Sequence, residues 1–270
     1  MSRPKISYDE YDKIIELYNS GLSTIKIATI YNTCHSVIRQ ILLKCGITLR
    51  DDSHKGRKYT INEFYFDNID TAHKSYILGL LYADGCNYPP QRRVKIELQE
   101  QDKDILDCIN KEIDSNKPLS LIPLHDKNPN WQNTYRLDII NKHISDVLVD
   151  KGVIQNKSLI LKPPTCIMDG FIRDFIRGYF DGDGHIDKYF INIASTKEMC
   201  EWIKVIIKEK LGVDASIYDI CNKKDSNTKI LSITGKSKML KFLSYLYDDA
   251  DLMITRKYIK YQELYNSFAI

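Results

Sequence analysis

The chain has 270 residues, of which 43% are hydrophobic and 28% charged, with 39 Lys and Arg against 36 Asp and Glu for a formal charge of +3. Such a balance suits an ordinary globular protein with one large core or two modest ones. It contains no apolar run near the roughly 20 residues of a membrane span, and no two of its seven cysteines have the spacing of a structural zinc site.

An odd cysteine count without a signal peptide predicts reduced thiols and a chain that is not secreted. Residues 1–58 hold 10 Lys and Arg against 6 Asp and Glu, and the remainder holds 29 against 30. The positive excess therefore lies in the N-terminal fifth. Any nucleic-acid surface in the rest must gather its basic residues on one face.

The first elements are three short helices. Ser7 is expected to cap a helix over residues 8–19, and Ser23 a second one carrying Ile25, Ile27, Ala28 and Ile30. A third runs from His35 to Cys45, with Val37, Ile38, Ile41 and Leu42 inward and Gly46 ending it. Three helices with a tight turn before a polar-faced third helix read as a helix-turn-helix over residues 1–50. His35, Ser36, Arg39, Gln40 and Lys44 are then the candidate DNA contacts. A small helical bundle that packs on a neighbour is the alternative. Residues 51–69 read as a polar linker, with Arg57 and Lys58 placed to follow a phosphate backbone.

The remaining chain repeats itself. Tyr76-Ile77-Leu78-Gly79-Leu80-Leu81-Tyr82-Ala83-Asp84-Gly85 returns 99 residues later as Phe175-Ile176-Arg177-Gly178-Tyr179-Phe180-Asp181-Gly182-Asp183-Gly184. Each copy is followed by an alternating strand, Arg93–Gln99 or Tyr189–Ala194. Next comes a helix, the first from Asp102 and the second capped by Ser195 with Glu198. A further strand (134–140 or 229–234) and helix (142–151 or 236–247) complete each copy. The unit is α+β, helix-strand-strand-helix-strand-strand-helix, present twice, over residues 70–165 and 166–270.

A glycine in mid-helix costs about 1 kcal/mol relative to alanine. Gly79 and Gly178 make sense where two helix backbones meet across a pseudo-twofold axis. Asp84 and Asp183 would then end neighbouring helices, where they repel each other and the helix dipoles. A hard divalent cation relieves this. Mg²⁺, with Mn²⁺ as a substitute, is expected on Asp84, Asp183 and the carbonyls of Ala83 and Gly182, with no zinc and no nucleotide. Ala-Asp-Gly alone is an ordinary turn sequence, and two matched copies argue for a duplicated core before they argue for chemistry.

The double motif, Leu78–Gly85 and Ile176–Gly184, resembles that of the LAGLIDADG homing endonucleases of the single-chain, two-motif type. The resemblance covers about residues 70–270 and leaves the N-terminal helices outside it. It implies two αββαββα halves whose sheets form a saddle over a long asymmetric double-stranded DNA. It also implies hydrolysis of one phosphodiester per strand by metal held on Asp84 and Asp183, with a basic residue beside each site. Lys157 is the candidate in the first half, and Arg256 or Lys257 in the second. Some kin bind DNA without cutting or assist RNA splicing. A monomer in the cytoplasm, or in an organelle for an intron-encoded gene, is expected.

On such a saddle the outward strand residues meet DNA. Arg93, Lys95, Glu97 and Gln99 face away from Val94, Ile96 and Leu98, with Arg136 and Asp138 beside them. The second half offers Phe190, Asn192 and Ala194, together with Lys229 and Leu231. Arg92, Gln132, Asn133, Lys223 and Lys224 are loop candidates.

Overall fold

A computed structural model describes residues 6–49, 59–126, 128–220 and 227–268, and the chain divides into two compact units after Lys58. In the first unit, a 3-10 turn at Tyr8–Glu10 leads into α1 (Tyr11–Asn19), α2 (Thr24–Ile30) and α3 (His35–Lys44). Ile14, Tyr18, Ile27, Ala28, Ile38, Ile41 and Leu42 form its core. Ser23 caps α2 by accepting from the Lys26 amide. Ser7 does not cap; its hydroxyl donates to the Asp9 carboxylate instead. Ile27 and Ala28 are the residues of this seven-residue helix that face the core, and Ile25 and Ile30 are exposed.

The second unit begins at Tyr59. Residues 59–69 are not a free linker, since Tyr65, Phe66 and Ile69 are buried in its core. Its first half runs α4 (Ala72–Ala83), β1 (Gly85–Tyr88), β2 (Arg93–Gln99), α5 (Lys103–Glu112), β3 (Ser120–Ile122), β4 (Thr134–Ile140) and α6 (Lys142–Asp150). The second runs α7 (Ile172–Asp183), β5 (Gly184–Ile186), β6 (Phe190–Thr196), α8 (Lys197–Leu211), β7 (Ser216–Asp219), β8 (Thr228–Thr234) and α9 (Lys236–Tyr247), and α10 (Thr255–Phe268) follows. Each half builds one antiparallel four-stranded sheet, ordered β1-β2-β4-β3 and β5-β6-β8-β7. Two pseudo-symmetric αββαββα halves are thus present, as the repeat predicts. The N-cap of α8 is Thr196, whose hydroxyl accepts from the Met199 amide, one residue beyond the expected Ser195.

The motif helices α4 and α7 pack against each other at the centre. A Cβ on Gly79 would overlap the Phe175 carbonyl oxygen, and one on Gly178 that of Tyr76. The backbones therefore touch where the two glycines lie. Residues Ser75–Tyr82 of α4 are all buried, so this helix is enclosed on every side. In α7, Asp174, Arg177 and Asp181 are buried as well and need internal partners. Arg177 donates to the Asp174 carboxylate at 2.7 Å and to the carbonyls of Leu252 and Leu246, and it lies over the Tyr76 ring.

The halves are also tied by polar bridges. His73 of α4 lies between Glu112 of α5 (Nδ1, 3.0 Å) and Asp251, just before α10 (Nε2, 2.9 Å). Burial lowers the His73 pKa, but hydrogen bonds to Asp251 and Glu112 outweigh it, and the net shift is upward. A raised folded-state pKa favours the folded, protonated form. Its stabilisation is complete below the unfolded value of about 6.5 and is lost as pH climbs through the folded value. Thermal unfolding of the native chain should therefore show stability falling over this rise, and His73→Gln should remove that portion of the slope. An identical slope in both proteins would exclude the bridge as its source.

Candidate metal centre and nucleic-acid interface

Asp84 caps the C-terminus of α4, and Asp183 is the last residue of α7. The Asp84 carboxylate lies against Gly182, where even a methyl group would be crowded by Ala83 and by Asp84 Oδ2. The glycine contact thus brings the two acids to one cleft. Both residues are exposed to solvent, yet the protein packed around them is enough to disfavour their charged forms. Burial, then the charge of Asp84, pushes the Asp183 carboxyl up to about 6. Burial also raises Asp84, against the opposing pull of Lys257, Lys157 and Arg256. The Tyr179 hydroxyl, which hydrogen-bonds Ser195 at 2.6 Å, helps hold the Asp183 charge.

Two lysines flank the pair in matching ways. Lys157 Nζ donates to the Gly85 carbonyl, and Lys257 Nζ to the Gly184 carbonyl at 2.6 Å. Gly85 and Gly184 each directly follow a motif aspartate, so these contacts settle the register that spacing left open. Lys257, not Arg256, is the counterpart of Lys157. Arg256 turns aside and grips the buried Asp102 carboxylate with Nε at 2.9 and 2.8 Å. Lys257 also reaches the Phe180 carbonyl, which accepts the Gly184 amide as well at the end of α7. Burial pulls its pKa down to about 8, and it lowers that of Lys157 too.

Among the described residues, no three His, Cys, Asp or Glu side chains are grouped to hold a metal ion by themselves. Asp84 and Asp183 offer carboxylate oxygens only, and the backbone of Ala83 and Gly182 adjoins them. This donor set fits a hard cation that keeps water and phosphate oxygens in its shell, and it does not fit zinc.

The strand register sorts the interface candidates. On the first sheet, Arg93, Lys95, Glu97 and Gln99 stand opposite Ile140, Asp138, Arg136 and Thr134, all on the face away from the core. Arg93 binds Asp138 through Nε and Nη2 at 2.7 and 3.0 Å, Arg136 binds Glu97, and Lys117 also reaches Asp138. Arg92 and Gln132 are exposed beside them, Arg92 with left-handed backbone at φ 54°. On the second sheet, Phe190, Asn192 and Ala194 share the outward face with Thr234, Ser232 and Ile230. The buried Asn192 Oδ1 has no hydrogen-bond partner among the described residues.

Lys229 and Leu231 do not belong to that face. They stand opposite Ser195 and Ile193, on the core side; Leu231 is buried, and Lys229 pairs with Asp219. Placing them outward was a one-residue error of register, which moves a strand's side chains to the opposite face. In the first unit, His35, Ser36, Arg39, Gln40 and Lys44 are exposed along α3. Arg57, Lys58, Lys223 and Lys224 lie outside the described residues.

Sequence reasoning missed the Asp181 hub. This fully buried carboxylate accepts from the Tyr76 hydroxyl at 2.7 Å, the Tyr247 hydroxyl at 2.6 Å and the Ile254 amide at 2.8 Å. Its counterpart Tyr82 donates to the Lys151 carbonyl at 2.6 Å. It also missed α10, although Tyr258, Tyr261 and Leu264 recur at helical spacing.

Residues 170–247 match the family model described as a LAGLIDADG-like domain. An uncharacterised protein of Methanocaldococcus jannaschii is 24% identical over 232 residues, 81% of this chain and 78% of that one. Among solved structures, the homing endonuclease I-WcaI bound to its DNA recognition sequence superposes with a TM-score of 0.52 at 16% identity, over 73% of this chain and 90% of that one. Full-length DUF199/WhiA from Thermotoga maritima gives a TM-score of 0.48 at 15% identity; the alignment covers 77% of this chain and 66% of the WhiA chain. The two αββαββα halves, the match over residues 170–247 and the I-WcaI superposition give the second unit a LAGLIDADG-type α+β fold. Among the described residues, no helix is long and apolar enough to cross a membrane.

Proposed function

We propose that this chain binds a long, asymmetric double-stranded DNA as a monomer, through the outward faces of its two sheets and through an N-terminal helix-turn-helix at residues 1–50. Residues 70–165 and 166–270 act as its two halves. The finer reading is that Asp84 and Asp183 hold a divalent ion, Mg²⁺ or Mn²⁺, and that one phosphodiester is hydrolysed on each strand. The observation that carries it is the backbone contact at Gly79 and Gly178, which brings two carboxylates and two lysines together between the sheets.

A bound ion would supply charge neutralisation and an activated water. The chain's own residues do the rest. Asp84 and Asp183 orient the hydrolytic centre, while Lys157 and Lys257 offer positive charge to the phosphate as negative charge develops on it. Arg93 and Arg136 are held in fixed orientations by Asp138 and Glu97, suited to guanine edges or phosphates. The second sheet offers hydroxyl, amide and aromatic groups instead, so the two halves read different sequences.

A second reading, specific binding without cleavage, is favoured by one feature. Among the described residues, only two carboxylates meet at the centre, and the two lysines already oppose their charge. Cleavage selection on random duplex DNA with Mg²⁺ separates the two. The first reading predicts an enriched site cut on both strands. Specific retention with no product under Mg²⁺ or Mn²⁺ would establish the second, and preference for RNA over duplex would remove both.

A further inference from the structure

We infer that Asp181 is a positioning residue whose buried carboxylate fixes the turn between α9 and α10 and thereby aims Lys257 at the end of α7. Three contacts carry this. Asp181 Oδ1 accepts from Tyr247, the last residue of α9, and Oδ2 accepts from the amide of Ile254, directly before α10. Oδ2 also accepts from Tyr76 of α4, which anchors the same carboxylate to the other half. Lys257 sits in the first turn of α10, and its own amide donates to the Ile254 carbonyl at 3.0 Å. The residue that Asp181 holds by its N–H therefore starts the helical turn that delivers the ammonium group.

The first half solves the same problem with the opposite polarity. Tyr82 occupies the equivalent place in α4 and donates to the Lys151 carbonyl at the end of α6, six residues before Lys157. A donor holds one lysine-bearing segment and an acceptor holds the other. The second is the tighter arrangement, with three bonds rather than one, and Lys257 is only 3% exposed.

The inference bears on cleavage through the reading proposed above, so its test reads lysine placement first. The full chain is acetylated with an amine-reactive ester, and rates at Lys257, Lys157 and the exposed Lys142 are followed by mass spectrometry. In Asp181→Ala, Lys257 should react about tenfold faster, with Lys157 unchanged, because a local segment is released while the fold persists. Asp181→Asn should stay near the native rate. Its carbonyl can keep both bonds made by Oδ2, and the Tyr247 hydroxyl can turn to accept from the amide. An unchanged Lys257 rate in folded Asp181→Ala, or equal acceleration of both lysines, would overturn the inference.

Where Asp181→Ala does not fold, Tyr247→Phe decides. Selective acceleration at Lys257 supports the role, and the native rate refutes it. On cleavable DNA, Asp181→Ala should slow the same strand as Lys257→Met, and equal slowing of both strands would count against positioning. A native protein that cuts nothing would defeat the nuclease reading alone, leaving the acetylation result to stand.

Discussion

Replacing Gly79 with alanine should destabilise the second unit by about 3 kcal/mol, in the range expected when a packed interior must part. Helix propensity acts in the other direction, since alanine gains about 1 kcal/mol over glycine in mid-helix. The steric term wins because the added methyl meets the Phe175 carbonyl and the Tyr179 amide, which are backbone atoms that cannot rotate away. Relief requires α4 and α7 to separate, loosening contacts along both helices. Gly178→Ala meets the Tyr76 carbonyl and should cost a similar amount. The double variant should cost clearly less than the sum, because one separation relieves both clashes. Thermal unfolding checks this, with a fall of about 6–12 °C expected for each single variant in a unit of this size. A rise in melting temperature would mean that the helices are not in backbone contact.

Replacing either motif aspartate with asparagine should separate stability from activity. Cleavage should drop by about a thousandfold or more, since a neutral amide neither holds a divalent ion nor orients its water. Specific DNA binding should survive, because the sheet faces are untouched. Stability should rise instead, by about 1 kcal/mol for Asp183→Asn once solvent screening of this partly open site is allowed for. The reason is that burial and the neighbouring Asp84 charge both disfavour the ionised Asp183. Cleavage, filter binding and melting measured on one preparation test the three parts together. A variant that still cuts both strands at the native rate would remove Asp84 and Asp183 from the chemistry.

The architecture was legible because a duplicated pattern constrains itself. Gly79 and Gly178 stand at one offset with Asp84 and Asp183, and alternation identified β2 and β6. What local pattern could not supply was register and long-range pairing. On β8, alternation alone leaves open which face Lys229 and Leu231 share, and the pairing with β6 puts Lys229 opposite the buried Ser195 on the core side. Arg256 and Lys257 are adjacent and both basic, and only the Asp102 carboxylate and the Gly184 carbonyl tell them apart. The Arg177–Asp174 pair and the Asp181 hub were invisible for a related reason. Charged residues inside a motif helix look like surface until partners from 66 or more residues away complete their bonds.

The unlike chemistry of the two outward sheet faces has a practical consequence for redesign of binding preference. On the first sheet, Arg93 shares Asp138 with Lys117, and Arg136 shares Glu97 with Thr134. An isolated change there strands a charge that its neighbour was holding, so altered variants must be sought as coupled sets. At the paired positions of the second face, Phe190 with Thr234, Asn192 with Ser232 and Ala194 with Ile230, no side chain is charged. That face can be randomised one position at a time, making it the natural starting point for libraries.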